Sequence, residues 1–327
     1  MFHECGDSLF LIDLDQPREG FRYFISSWVI REKGGAILID PGPRSTIPVL
    51  KEALRRLGVT KIAYILLTHI HIDHAGGAGL LMDDYPGAKV VCHPKGITHV
   101  VHPEKLWRSS QQVLGPVAEL YGRIASISEE RVVFHDTIEL ETGSVKVLQT
   151  PGHSPHHLSF LKGDCLFAGE TVGVTCPVGG EDLYLRPATP PVFKLEIQRN
   201  SFEKVASLDI ATICFAHYGL RRDSENLFRH ARAQIPLWLG IMETHLRRNG
   251  DFSEENIFND ILVQDPCMRS FHLLPDDIKV REREFIGNSI RGLQGYLLKN
   301  GVTAEPVQRQ TSGGAEPEGH QRAQNTC

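Results

Sequence analysis

Residues 64–77, YILLTHIHIDHAGG, constrain this chain more tightly than any other stretch. An apolar strand pattern runs straight into His69, His71, Asp73 and His74, four metal-ligand side chains within six positions. Alternate residues of an extended segment point the same way, so His69 and His71 can share one side of a strand end. Asp73 and His74 fall where the chain turns and can face a neighbouring point. Two adjacent aims suit two metal ions close together better than they suit one. Ala75, Gly76 and Gly77 then let the backbone turn tightly. A polar loop that is merely rich in histidine would account for neither the apolar run before it nor the glycines after it.

Three further stretches carry ligand chemistry, each where an apolar strand stops. Thr150-Pro151-Gly152-His153-Ser154-Pro155-His156-His157 follows one strand, Ala168-Gly169-Glu170 closes the next hairpin with a carboxylate, and Phe215-Ala216-His217-Tyr218-Gly219 ends another strand with a histidine. Strand ends converging on one rim are the simplest geometry that uses them all.

The rest of the chain supports such a scaffold. Ser8–Leu14, Tyr23–Ile30, Ala36–Asp40, Ile62–Leu67, Lys89–Cys92, Arg131–Phe134, Val145–Gln149, His157–Leu161, Cys165–Ala168 and Ala211–Ala216 have strand composition. Ile47, Leu50, Leu54 and Leu57 keep helical spacing, with Pro48 in the first turn and Gly58 at the end. Pro94–Ser126 is loosely helical, Gly173–Pro191 is a long Gly- and Pro-rich loop of the kind that often carries function, and Phe193–Leu208 is a helix. Helical stripes follow residue 222, with a kink or break expected at Pro236, and they suit a packed cap or a homodimer surface. The expected organisation is therefore a metal-binding domain over 1–221, a helical segment over 222–300 and a disordered polar tail over 301–327.

With 327 residues and a net charge of −5, the chain has no basic block for nucleic acid and no apolar run long enough to cross a bilayer. The start lacks a signal-peptide pattern, and the seven cysteines are odd in number and scattered, without a CxxC pair. The expected setting is the cytoplasm, with a small-molecule substrate, no nucleic acid and no membrane.

The ordered set THIHIDHAGG, TPGHSPHH, AGE and AHYG, with ILIDPG at residues 37–42, resembles the metallo-β-lactamase superfamily over roughly residues 8–220. The resemblance implies an α/β (α+β) fold, an αββα four-layer sandwich, here with a helical C-terminal extension. It implies that His69, His71 and His153 hold one metal, that Asp73, His74 and His217 hold a second, and that Glu170 bridges them. The cofactors would be two divalent metal ions, zinc first, with iron or manganese as alternatives. Glu170 departs from the family's usual aspartate, which leaves metal number and identity open. The activity implied is a hydrolase using a metal-bound hydroxide on an ester, thioester or lactone. Asp73 would orient that hydroxide and handle its proton. The alternatives are an oxidoreductase resembling mononuclear iron persulfide dioxygenases, and a small-molecule phosphodiesterase.

Other residues carry weaker expectations. Tyr218 follows a proposed ligand and could donate to a developing oxyanion. Tyr184, Arg186 and Phe193 lie in or beside the Pro-rich loop after Glu170 and are candidate substrate-binding residues, with Arg186 as an anion clamp. His156 or His157 could orient a ligand. Asp40 resembles a family position that supports the metal loops. His93, His99 and His102 read as packing or solvent-facing histidines, and nothing near Cys176 in sequence would lower its pKa.

Overall fold

Alternation of apolar residues along the strands determines the layering. In Leu9–Asp13, Leu11 faces one way while Phe10 and Ile12 face the other; in Ala36–Ile39, Ile37 and Ile39 oppose Leu38. Cys165–Gly169 repeats the pattern, with Phe167 opposed to Leu166 and Ala168. A strand with two apolar faces must be covered on both. The result, in the computed structural model, is two sheets face to face with helices outside each. The structure describes residues 1–6, 8–179, 182–249 and 252–301, so the expected tail lies outside the described residues apart from Gly301.

The strands, in chain order, are β1 Phe2–Gly6, β2 Leu9–Asp13, β3 Ser26–Ile30, β4 Ala36–Ile39, β5 Ile62–Leu66, β6 Lys89–Val91, β7 Val132–Val133, β8 Thr137–Leu140, β9 Gly143–Gln149, β10 Leu158–Lys162, β11 Cys165–Gly169, β12 Val174–Thr175, β13 Leu185–Arg186, β14 Thr212–Phe215 and β15 Leu220–Arg221. The first sheet holds β1 to β7 in sequence order, antiparallel up to β4 and parallel from β4 onward. The second runs β15-β14-β11-β10-β9-β8, with β11 and β14 parallel. β12 and β13 form a separate ribbon within the segment expected to be structureless.

Three clusters fill the sandwich. Between the sheets lie Leu11, Trp28, Ile37, Ile39, Val147, Phe160 and Phe167. The Trp28 indole donates across this layer to the Phe215 carbonyl, 2.9 Å away. Outside the first sheet, Val29, Leu38 and Ile65 pack under α1 (Ile47–Arg56) and its neighbours through Leu50 and Leu54. Outside the second, Ile213 and Phe215 meet Phe202 and Val205 of a helix at Leu195–Ala206. This is the expected αββα arrangement.

The helical extension has its own core. Helices Ser224–Asn249, Glu254–Gln264 and Asp276–Lys299 enclose Trp238, Met242, Ile257, Ile261, Ile286 and Leu293. Of the kink or break expected at Pro236, the break is not found: the first of these helices runs through it. One lost backbone bond is outweighed by the burial of Trp238, Ile241 and Met242 just beyond. Cys176, Tyr184 and Phe193 join the same core, so the extension packs on the segment after Glu170. Among the described residues no helix is long and apolar enough to cross a membrane.

Candidate metal centre

Four segments meet at one rim, each following the C-terminal end of a strand. β5 delivers Thr68 to His74, β9 delivers Gly152 to His157, β11 delivers Glu170, and β14 delivers His217. β9 and β11 both run antiparallel to β10, and β14 runs parallel to β11, so the three ends in the second sheet lie on the same side. The sheets are joined there by the Leu158 amide donating to the Thr68 carbonyl at 2.6 Å and by the Ser26 amide donating to the Ala216 carbonyl at 2.9 Å.

All seven sequence-predicted ligands come together. His69, His71 and His153 form one close group, Asp73, His74 and His217 a second, and His69, His74 and Glu170 a third that overlaps both. His71 Nδ1 lies 3.0 Å from His69 Nε2 and 3.1 Å from His153 Nε2. In the second group His74 Nε2 lies 3.2 Å from His217 Nε2, and Asp73 Oδ2 lies 3.4 Å from the former and 3.6 Å from the latter. Glu170 reaches both groups, with Oε2 at 2.5 Å from His153 Nε2 and Oε1 at 2.7 Å from His217 Nε2.

These distances fit metal ions. Donors about 2.0–2.1 Å from a tetrahedral cation stand roughly 3.3 Å from one another, which is close to the spacings seen. Glu170 Oε2 is buried without a hydrogen bond despite its contact with His153, and His74 Nδ1 is also buried without one. Imidazole nitrogens facing one another and a carboxylate oxygen left without a hydrogen bond, all around a common point, are what cations between them would explain. The residues present could therefore hold divalent ions.

Electrostatics divide the histidines: burial would lower His74 and His153, but Asp73 and Asp40 hold the first up and Glu170 the second, charge that a cation would replace. Burial lowers His69 well below its usual pKa, reinforced by His74 and His71, and it brings His71 down to about 4. Neutral imidazoles are the form that binds metal. For Asp73 and Glu170 burial favours the protonated acid, but His74 holds Asp73 low and His153 and His217 hold Glu170 low, so both stay ionised. Only His71, Asp73 and His153 of the seven are partly exposed, and they define the open side.

A surrounding layer of hydrogen bonds orients the ligands. Asp40, with φ of 49°, accepts from the Thr68 amide at 2.8 Å and from Thr68 Oγ1 at 2.6 Å, and lies 3.5 Å from His74 Nδ1. His157, fully buried, accepts from the Glu170 amide at 3.0 Å through Nε2. Gly169, with φ of 58°, is required here because a Cβ would stand 2.3 Å from that same nitrogen. His153 Nδ1 donates to the Ala188 carbonyl at 3.2 Å and His217 Nδ1 to the Phe24 carbonyl at 3.0 Å. Neither carbonyl left a trace in the sequence pattern. His156 pairs with Ser154 at 3.0 Å, and burial brings its pKa to about 3. His93 caps a helix, accepting from the Lys95 amide at 3.0 Å.

Four expectations need correction. Arg186 is not placed as an anion clamp: it is 3 % exposed and donates to Glu282 at 2.5 Å. Tyr184 is fully buried and donates to the same carboxylate at 2.7 Å, while Phe193 packs in the helical core. The Tyr218 hydroxyl is turned toward Asp13, to which it donates, and burial with that acceptor pushes its pKa up. It is therefore committed elsewhere than to an oxyanion. Cys176 is a buried thiol raised by burial to about 11.

Residues 20–217 match the family model of the metallo-beta-lactamase superfamily. The chain belongs to that superfamily. A metallo-beta-lactamase fold-containing protein of Sulfurisphaera tokodaii is 32 % identical over 167 residues, covering 49 % of this chain and 62 % of that protein. A hydroxyacylglutathione hydrolase of Serratia proteamaculans is 31 % identical over 216 residues, covering 64 % of this chain and 66 % of the relative. The chain thus spans less than two thirds of the length of both. A solved superfamily structure from Sulfolobus tokodaii superposes with a TM-score of 0.65 at 22 % identity, over 89 % of this chain and 99 % of that one. One from Thermus thermophilus gives 0.63 at 21 %, over 90 % and 94 %. The shared superfamily fold therefore extends past the residues that the family model matches.

Proposed function

We propose that this metallohydrolase-family chain cleaves an ester, thioester or lactone of a small molecule with two divalent ions, zinc foremost. The observation that carries the reading is Glu170, whose two oxygens each touch a histidine of a different donor trio. Its longer side chain thus suits a bridging position. His69, His71 and His153 would hold one ion, Asp73, His74 and His217 the other. When bound, such a pair supplies Lewis acidity and brings the pKa of a water toward neutral.

The chain's own residues then supply the rest. The buried histidines exclude bulk water, burial keeps His69 and His71 neutral, and the partly exposed edge at His71, Asp73 and His153 is where a substrate carbonyl can enter. Asp73, held ionised, acts as a hydrogen-bond acceptor that orients the attacking water. A carboxylate of such low pKa holds a proton poorly, so its part is orientation more than storage. The hydroxyacylglutathione hydrolase named among the relatives supports a thioester within this class. The same proposal takes the compartment to be the cytoplasm, supported by the six described cysteines, all free thiols.

The test pairs elemental analysis of native protein with a screen of thioesters, esters, lactones and phosphodiesters, before and after chelation. Two divalent ions per chain and chelator-sensitive acyl hydrolysis are expected. One iron per chain with oxygen uptake would replace the hydrolase by an oxidoreductase, and turnover of phosphodiesters alone would replace the bond type.

A further inference from the structure

The helix Asp276–Lys299, α10 in chain order among the described residues, lies outside the sandwich, yet two loops seated on it reach the metal centre. We propose that α10 is a positioning element for that centre. It holds in place the two backbone carbonyls that orient His153 and His217, one histidine from each donor trio. The proposal rests on reading those histidines as metal ligands.

Both acceptors lie outside the two main sheets: Phe24 is in the connection from β2 to β3, and Ala188 follows β13. The Phe24 loop is fastened by Arg281, whose Nη1 donates to the Gly20 carbonyl at 2.6 Å and to the Arg22 carbonyl at 2.9 Å. Arg22 answers with a fork onto Asp277 at 2.9 and 3.2 Å. Contact is so close that a Cβ on Gly20 would stand 2.4 Å from the Asp277 carbonyl oxygen. The Arg281 guanidinium also lies 4.4 Å over the Phe24 ring, and that ring stacks on the His217 imidazole at 4.4 Å and 26°. His217 therefore meets Phe24 twice, through its ring and through its Nδ1 hydrogen bond.

The Ala188 segment is fastened on both sides of the acceptor. Arg186 Nε donates to Glu282, Ser289 Oγ donates to the Pro187 carbonyl at 2.9 Å, and Thr189 Oγ1 donates to the Ser289 carbonyl at 3.0 Å. Gly292 admits the loop, since a Cβ there would stand 2.2 Å from the Thr189 carbonyl oxygen. The two halves are joined on the helix itself by Arg281 Nε donating to Glu282 at 2.9 Å. A buried ion cluster contributes little net stability against a well-packed apolar alternative. Forked guanidinium bonds do fix direction, and direction is what a metal-ligating imidazole needs from its outer partner.

Loading the full chain with Co²⁺ tests this, reading the visible spectrum and the affinity by competition with a chelator, together with a thermal melt. Two α10 variants are informative. Ser289→Ala removes only the bond to Pro187 and should disturb the ion held by His153; Arg281→Lys keeps the charge but loses the fork and should disturb the ion held by His217. Each should weaken one Co²⁺ by about 10- to 100-fold and shift the spectrum. Ile261→Val, in the same helical core but touching none of these contacts, should lower the melting temperature without moving either. Wild-type spectrum and affinity in Ser289→Ala and Arg281→Lys, or equal losses in Ile261→Val, would overturn the inference. A wild-type chain that takes up no Co²⁺ would overturn the metal-centre reading itself, a different and recognisable result.

Discussion

Replacing Glu282 with glutamine should cost roughly 3–5 kcal/mol at neutral pH, because two buried guanidinium groups lose the carboxylate that pairs with both. Glu282 is completely buried and accepts from Tyr184 at 2.7 Å, Arg186 at 2.5 Å and Arg281 at 2.9 Å. Burial alone would raise its carboxyl, but Arg186 and then Arg281 hold it at about 2, against an ordinary value of 4.5. That difference corresponds to roughly 3 kcal/mol of linked stability. Because the folded pKa lies below the unfolded one, the contribution is complete above pH 4.5 and is lost as pH falls toward 2. Glutamine does not titrate, so the gap between wild type and Glu282→Gln should be widest at pH 7 and should narrow by roughly 2 kcal/mol by pH 3. Urea unfolding of both proteins, chelator-treated, at pH 7, 5, 4 and 3 measures it. A gap under about 1 kcal/mol at pH 7, or one that stays constant down to pH 3, would refute the reasoning.

Three other substitutions probe the centre and its surroundings. Gly169→Ala forces a side chain into the left-handed region and onto His157, so it should cost about 2–4 kcal/mol and reduce the metal retained after dialysis. His157→Leu leaves the Glu170 amide buried without its acceptor; chemical unfolding should show a loss of about 1–3 kcal/mol, with metal content falling in parallel. Tyr218→Phe removes a hydrogen bond to Asp13 and should lower stability by about 1 kcal/mol while kcat stays within about twofold. A tenfold or larger fall in kcat at unchanged stability would restore a catalytic role to that hydroxyl.

The sandwich was legible because its strands are short runs of branched and aromatic residues and its ligands sit where those runs stop. Other strands were not: β12, β13 and β15 span two residues each, and β1 and β8 are edge strands whose residues are largely exposed. Side chains were harder to place than segments. Arg186 looked like an anion clamp because its partner, Glu282, lies ninety-six positions away, and no local pattern links the two. Tyr184 went the same way for the same reason. Asp40 and His157 could be suspected from their neighbours, but the Phe24 and Ala188 carbonyls could not, since every residue has one. Of the kink or break expected at Pro236 the break does not form, because propensity counts the missing amide and not the apolar surface that the continued helix covers.

Because the donors are strung from His69 to His217 across both sheets, no local stretch can assemble the centre during folding. It requires contacts between distant parts of the chain, which form slowly, and a closed sandwich is the earliest state in which both trios exist. Ions that bind this state and not the open chain would act as a late latch, deepening the native basin in proportion to the logarithm of their free concentration.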